Sequence, residues 1–164
     1  TAKKIKALVN NIKPKNCKAK IYLLHGRMKQ EEVAALYKNN KISALLSATR
    51  GEGFGLPLLE AAAAGLPVIA TNWSGHKDFL DLGVWTKIKK SLIEVPPERI
   101  DGQIFVPGAK WAQPDRSDFV KKINYFIKNE EQLREKAQLL RGRVVEKFSF
   151  ASIAKDYDRV LGNI

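Results

Sequence analysis

Short apolar runs alternate with helical patterns along the first half of this chain, and this alternation most constrains its fold. The compact runs are KIYLLH at 20–25, ISALLSAT at 42–49 and LPVIAT at 66–71. Between them lie KQEEVAALYKNN at 29–40 and LPLLEAAAAG at 56–65, which have helical spacing. Strands that are apolar throughout are typical of parallel sheets covered by helices on both faces. The sequence therefore predicts an α/β fold with a doubly wound, Rossmann-like parallel sheet.

The flanking segments are predicted to be mainly helical. Residues 2–12 form an amphipathic pattern, and TKIKKSLIEV at 86–95 alternates like a strand. The stretch 96–115 is predicted to be a loop with a short strand at 103–106. After Asp115, a predicted N-cap, three apolar stripes predict a helical C-terminus with buried faces. The stripes are Phe119, Ile123, Phe126 and Ile127; Leu133, Ala137, Leu140 and Val144; and Ile153, Tyr157, Val160 and Leu161.

Size and composition exclude several classes of protein. The 164 residues fit a single domain, 1–164, with a substantial core. No apolar run is long enough for a membrane span or a signal peptide, so a cytoplasmic location is expected. One cysteine, Cys17, cannot form an internal disulfide, and two histidines, His25 and His76, predict no metal site.

The positive charge is concentrated near the N-terminus. Residues 1–41 hold eleven Lys and Arg against Glu31 and Glu32, out of a net charge of +12 for the chain. This region fits either an anionic partner or a lysine-rich helix face in solvent, and both interpretations stay open. Tyr22 and Tyr37 are its only aromatic residues, so a nucleic-acid partner is not expected.

A glycine-rich loop follows the second apolar run, in RGEGFGLPLLEAAAAGLPVIAT at 50–71. In open α/β sheets, ligands bind where such loops leave the carboxyl ends of strands and enter helices. Gly51, Gly53 and Gly55 allow a tight turn and a close approach to a ligand. Pro57 suits the first position of the next helix. Free amides and the positive end of that helix then favour a phosphate or a sugar oxygen.

Two glutamates lie in this apolar stretch. Glu60 is predicted in the first turn of the helix, where a buried carboxylate needs hydrogen-bond donors such as ribose hydroxyls. Glu52 is predicted to face the same cavity and to accept from sugar hydroxyls. A solvated loop glutamate and a capping glutamate are the alternative, which the residues alone leave open.

The same stretch resembles a known family. EGFGLPLLE, with Glu52 and Glu60, is similar to the E-x7-E motif of the retaining GT-B "glycosyl transferases group 1" family. EAAAAGLPVIAT resembles the family's continuation, and HGRMKQEEVAALYKNNKISALLSAT resembles the stretch before the motif. The resemblance is strong over residues 20–80 and weaker over 104–161. NWSGHKDFLD is similar to the family's G-G-x-x-E loop, although Ser74 replaces its first glycine.

The resemblance implies roles for individual residues. Glu52, the catalytic candidate, would hold hydroxyls of the donor sugar. Glu60 would bind the ribose hydroxyls, and Arg27 and Met28 would lie near the base. His76 is expected to line the cleft, while Trp111 is interpreted either as an acceptor or interdomain contact or as packing under the last helices. The remaining donor-binding candidates, mainly through backbone amides, are Gly53, Phe54, Gly55, Leu56 and Leu58.

The implied reaction is transfer of a hexose from a nucleotide diphosphate sugar with retention at the anomeric carbon. No metal and no cofactor besides this donor is expected. The family's Arg and Lys diphosphate clamp has no counterpart in residues 1–19. The chain is therefore expected to be most of the C-terminal donor domain of a GT-B enzyme, truncated on its N-terminal side.

The expected partners are the nucleotide sugar and an N-terminal acceptor domain, and a peripheral membrane contact is left open. A non-catalytic nucleotide-sugar-binding module and an epimerase or phosphorylase relative of the same fold remain alternatives.

Overall fold

The computed structural model describes residues 2–162. The chain divides into two compact units, and the division falls after Val33.

The first unit contains helix α1 (Ala2–Ile12) and the beginning of helix α2 (Gln30–Tyr37), as the sequence predicts. The strand predicted at 20–25 is wrong, because this segment is irregular. A strand needs a neighbour for its backbone hydrogen bonds, and within residues 2–162 no strand pairs with this one. Tyr22 and Leu24 are accordingly 80% and 68% exposed.

The second unit is built on a parallel sheet of three strands, which confirms the mixed α/β class. Strands β1 (Leu45–Ser47), β2 (Val68–Thr71) and β3 (Thr86–Ile88) lie in the order β1-β2-β3. Leu45 pairs with Val68, and Ile69 pairs with Thr86. All three carboxyl ends therefore meet at one edge of the sheet.

Helices cover the two faces of the central strand. Helices α3 (Leu56–Ala63) and α4 (Lys77–Leu80) connect the strands, and α5 (Arg116–Lys128) and α6 (Glu130–Phe148) follow the sheet. One core cluster joins Val68 and Ala70 to buried residues of α3, α4 and α6. A second joins Ile69 to Phe126 and Leu133. This alternation follows from the two-residue period of a strand.

Helix α6 supplies the stripe that its sequence predicts: Leu133, Ala137, Leu140 and Val144 are all buried. The predicted N-cap is also confirmed, since the Asp115 side chain accepts from the Asp118 amide at 2.9 Å. The stripe on helix α7 (Phe150–Leu161) is not core, which corrects the prediction. Tyr157, Val160 and Leu161 are 64%, 62% and 58% exposed, because no described residues cover that face.

An antiparallel hairpin stands where the sequence suggested one strand and a loop. Strand β4 (Lys90–Glu94) pairs with β5 (Lys110–Pro114). The strand predicted at 103–106 is wrong, because the Asp101 carboxylate accepts from three amides of this segment and folds it into a turn. The three amides are those of Gln103, Ile104 and Phe105, at 2.8 to 2.9 Å.

Candidate functional site

The glycine loop connects β1 to α3 at the carboxyl edge of the sheet. It ends at Gly55, whose φ of 87° lies in the left-handed region that side chains disfavour. A Cβ at this position would also meet the Cβ of His76 at 3.0 Å and a methyl group of Leu58 at 3.2 Å. Backbone conformation and packing therefore both require glycine here, as the loop prediction supposed.

Consecutive backbone amides at the start of α3 are without acceptors. Within residues 2–162, no hydrogen bond is formed by the N–H groups of Gly53, Phe54, Gly55 and Leu56, and no side chain caps the helix. The first engaged amide is that of Leu58, which donates to the Gly55 carbonyl at 2.9 Å. The free amide at the start of the helix is therefore that of Leu56, whereas the amide of Leu58, a predicted donor-binding residue, is engaged within the chain.

Glu52 is half-buried, and its backbone is fixed by the loop that follows β2. The Ser74 hydroxyl accepts from the Glu52 amide at 3.0 Å and donates to the Glu52 carbonyl at 2.5 Å. The Gly75 amide donates to the same carbonyl at 3.2 Å. Sequence reasoning noted Ser74 only as a departure from glycine. It missed the contact because the two residues are 22 positions apart.

Close packing of the two loops also depends on Gly75. A Cβ at Gly75 would overlap the carbonyl oxygen of Gly53. Ser74 itself has a φ of 84°, and among the described residues it is the one non-glycine with a positive φ. Ser74 thus adopts a backbone conformation that favours glycine, and its side chain adds a hydroxyl.

The ring of Phe54 leaves the loop in the direction of the core. It contacts the rings of Phe79 and Phe148, with centroids 5.4 and 6.0 Å away. These ring contacts hold the Phe54 side chain against the core and so limit the movement of its free backbone amide.

Glu60 lies in the second turn of α3, because the helix begins at Leu56, and the prediction of a first-turn position is wrong. Its neighbours do not bury it either, since the residue is exposed. Its carboxylate lies near Tyr37: burial and the negative charge of Glu60 together raise the pKa of the Tyr37 hydroxyl. Nothing in the spacing of the sequence indicated this pair.

His76 is buried beside Gly55, with 1% of its surface exposed. Its Nε2 lies 2.7 Å from the Thr71 carbonyl, and its ring meets Trp85 edge-on. A carbonyl only accepts, so Nε2 carries a hydrogen and donates it. Within the described chain, neither Nδ1 of His76 nor Oγ1 of Thr71 has a partner.

A comparison with protein families identifies the chain. The family model described as "Glycosyl transferases group 1" matches residues 3–139, well over half of the sequence. The chain belongs to the glycosyl transferases group 1 family. No curated protein and no solved structure gave a significant match. Membership supports glycosyl transfer in general, with a sugar donor and an acceptor as the substrates.

The match to the glycosyl transferases group 1 family includes both loops of the site and ends within α6. It also includes Arg27 and Met28, which lie on exposed coil of the first unit. That these two residues join the glycine loop in one site stays a prediction.

Metal sites and membrane-spanning helices are other features that residues 2–162 could contain. No three His, Cys, Asp or Glu side chains there come together in a group that could hold a metal ion. No helix in the same range has the length and apolar character needed to cross a bilayer.

Proposed function

We propose that the glycine loop binds a nucleotide diphosphate sugar, and that the chain is the donor-binding part of a retaining hexosyltransferase with the GT-B fold. One observation carries the proposal: four unengaged amides, 53–56, lead into the first residue of α3 beside the fixed backbone of Glu52. Helix N-termini with free amides are suited to phosphate, because the amides and the helix dipole both favour negative charge.

The two glutamates suit the remaining parts of such a donor. Glu52 precedes the free amides directly, so its carboxylate accepts from hydroxyls of the sugar attached to the diphosphate. Glu60 lies one turn further along α3 and is exposed. We propose that Glu60, the second glutamate of the E-x7-E motif, accepts hydrogen bonds from the ribose hydroxyls. Arg27 and Met28 are assigned to the base.

The chemistry follows from the charges that develop when the glycosidic bond to phosphate breaks. The leaving diphosphate gains negative charge, and fixed amides stabilise it without reorganising. The sugar gains positive charge, which the nearby carboxylate of Glu52 favours. In this proposal Glu52 orients and stabilises the sugar and is not the nucleophile of a hydrolase. The acceptor is assigned to an N-terminal domain of the same enzyme.

Calorimetric titration with UDP-glucose, GDP-glucose and ADP-glucose tests donor binding. We expect the sugar ester of one nucleotide to bind, and Glu60→Ala to weaken its binding at least about tenfold, because hydrogen bonds to a charged group contribute about 1.5–3 kcal/mol. Glu146→Ala, on the exposed surface of α6, is the matched control and should bind like wild type.

Two results would count against this proposal. One is equal affinity in wild type and Glu60→Ala, and the other is no binding of any nucleotide sugar. Retention is tested with the whole enzyme that contains the acceptor domain: in the proton NMR spectrum of its first product, the anomeric coupling should match that of the donor.

A further inference from the structure

Arg50 lies on the same loop, two residues before Glu52, and its position is fixed by the hairpin. The Ala112 amide of β5 donates to the Arg50 carbonyl at 2.9 Å. The hairpin, which sequence reasoning did not connect to the site, is therefore joined to the loop at its start.

The side chain of Arg50 is also held. Its guanidinium carbon lies 4.4 Å from the ring centroid of Trp111 on β5. The ring of Phe105 packs edge-on against Trp111 at 5.6 Å. Trp111 thus supports Arg50, and neither earlier interpretation of this residue, an acceptor contact or packing under the last helices, described that contact.

Stacking occupies the face of the guanidinium and leaves its N–H groups available in the plane. Within residues 2–162, no carboxylate pairs with Arg50. By contrast, Arg134 is bound to Glu130 and to the Ile42 carbonyl. Arg50 is therefore an ordered cation whose hydrogen-bonding groups are not used within the described chain.

A second stacked cation lies at the same edge of the sheet. Lys90 follows β3, and its ammonium lies 4.7 Å from the ring centroid of Trp73, which follows β2. The carboxyl ends of β1 and β3 are separated by one strand, or about 10 Å. Stacked cations therefore follow both of the strands, β1 and β3, that flank β2.

We infer that Arg50, supported by Trp111, binds an anionic group of the substrate beside Glu52. Guanidinium groups bind phosphate and carboxylate with two parallel hydrogen bonds, so the ligand is one of these two oxyanions. A phosphate would come from the diphosphate of the donor, and a carboxylate from an acidic sugar. This inference rests on the proposed function and adds a binding residue to that site.

The test uses the indole N–H signals of the three tryptophans in the nitrogen-15 NMR spectrum. Loss of one signal in Trp111→Phe assigns Trp111. The Trp85 indole, which donates to Asp81 at 2.9 Å, is the internal reference. Inorganic pyrophosphate and glucuronate are then titrated separately into the protein.

We expect one of these anions to shift the Trp111 signal saturably and to leave the Trp85 signal in place. Pyrophosphate alone would identify a phosphate, and glucuronate alone a carboxylate. Arg50→Gln should weaken binding at least about tenfold, and Arg50→Lys should restore it only in part. Arg141→Gln removes the same charge from the exposed surface of α6 and should bind like wild type. Dispersed indole signals show that each variant is folded.

The inference is overturned if neither anion moves the Trp111 signal, or if Arg50→Gln binds as tightly as wild type. A failure of this inference differs from a failure of the proposed function. In the first case nucleotide sugars still bind and still respond to Glu60→Ala. In the second case no nucleotide sugar binds, although pyrophosphate or glucuronate binds at Arg50.

Discussion

Ser74 combines an unfavourable backbone conformation with two hydrogen bonds to Glu52. A left-handed conformation costs a residue with a Cβ about 1–2 kcal/mol. The two hydrogen bonds of its hydroxyl to the Glu52 backbone are of a size to offset this cost. Serine therefore fixes the Glu52 loop more firmly than glycine would.

Substitutions at Ser74 separate the two effects. Ser74→Ala loses both hydrogen bonds and keeps the strained φ, so we expect the free energy of unfolding to fall by about 1–3 kcal/mol. Ser74→Gly loses the bonds but relieves the strain, and its loss should be about 1 kcal/mol smaller. Urea unfolding measures both, with Ser91→Ala on the exposed side of β4 as the control. Identical stability in all four proteins would show that the Ser74 hydroxyl does not hold the loop.

Glu60 and Tyr37 give a second prediction at this scale. Burial and the Glu60 carboxylate both disfavour the tyrosinate, so the pKa of Tyr37 is raised. Replacing Glu60 by Gln removes the negative charge and should lower that pKa towards its ordinary value, about 10. Absorbance titration at alkaline pH, with Tyr37→Phe to assign the group, measures the change. An unchanged titration in Glu60→Gln would mean that the two side chains are not close.

Local patterns predicted the elements whose contacts are local, and this explains both the agreements and the errors. Helix α6 was predicted because Leu133, Ala137, Leu140 and Val144 lie on one side of it regardless of what covers them. The run at 20–25 has the composition of a strand, but a strand is completed only by a partner elsewhere in the chain. The hairpin was missed because the segment predicted as its strand, 103–106, is a turn held by Asp101, and the true second strand follows this turn.

In the candidate site too, features set by neighbouring residues were predicted, and contacts between distant residues were not. Gly55 was predicted because a tight turn before a helix is a local requirement. The contacts of Ser74 with Glu52, of Trp111 with Arg50 and of Glu60 with Tyr37 join distant parts of the chain. No spacing rule brings these residues together, because only the folded chain places them side by side.

Asp81 connects helix α4 to strand β3 and gives a prediction about pH. Burial raises the pKa of its carboxyl, but hydrogen bonds from Lys77, Lys87 and Trp85 outweigh burial and hold the pKa well below its usual range. The stabilisation is therefore complete above the unfolded pKa, about 3.9, and is lost as pH falls below that value. The contribution of Asp81 to the free energy of unfolding therefore decreases in acid and not in base.

Asp81→Asn should lower the free energy of unfolding at pH 7 by about 1 kcal/mol, a value kept small because the side chain is partly exposed. The difference from wild type should shrink between pH 5 and pH 2, at about the range where the wild-type carboxylate becomes protonated. Urea unfolding at several pH values measures it, with Asp158→Asn on α7 as the control. A difference that stays constant down to pH 2 would contradict the assigned cause.

At the scale of the molecule, burial is concentrated in the second unit. All residues of both core clusters lie at or beyond position 37, and the three tryptophans lie there too. The first unit carries much of the excess positive charge and has no fully buried residue among its described positions. The second unit is also long enough to sustain a core of its own.

A chain that begins at residue 34 should therefore fold. We expect it to keep the near-ultraviolet circular dichroism of Trp73, Trp85 and Trp111 and to unfold in one cooperative transition. The full chain measured under the same conditions is the control. A flat near-ultraviolet spectrum from the shorter chain would show that residues 1–33 are needed for tertiary packing.

The contact between Phe54 and Phe148 has a practical consequence. One ring belongs to the glycine loop and the other to the last residue of α6, outside the matched region of the family, so the proposed ligand in the loop would alter the surroundings of Phe148. A fluorine label on Phe148 would thus be a remote reporter of ligand occupancy, read without modifying any group assigned to the ligand.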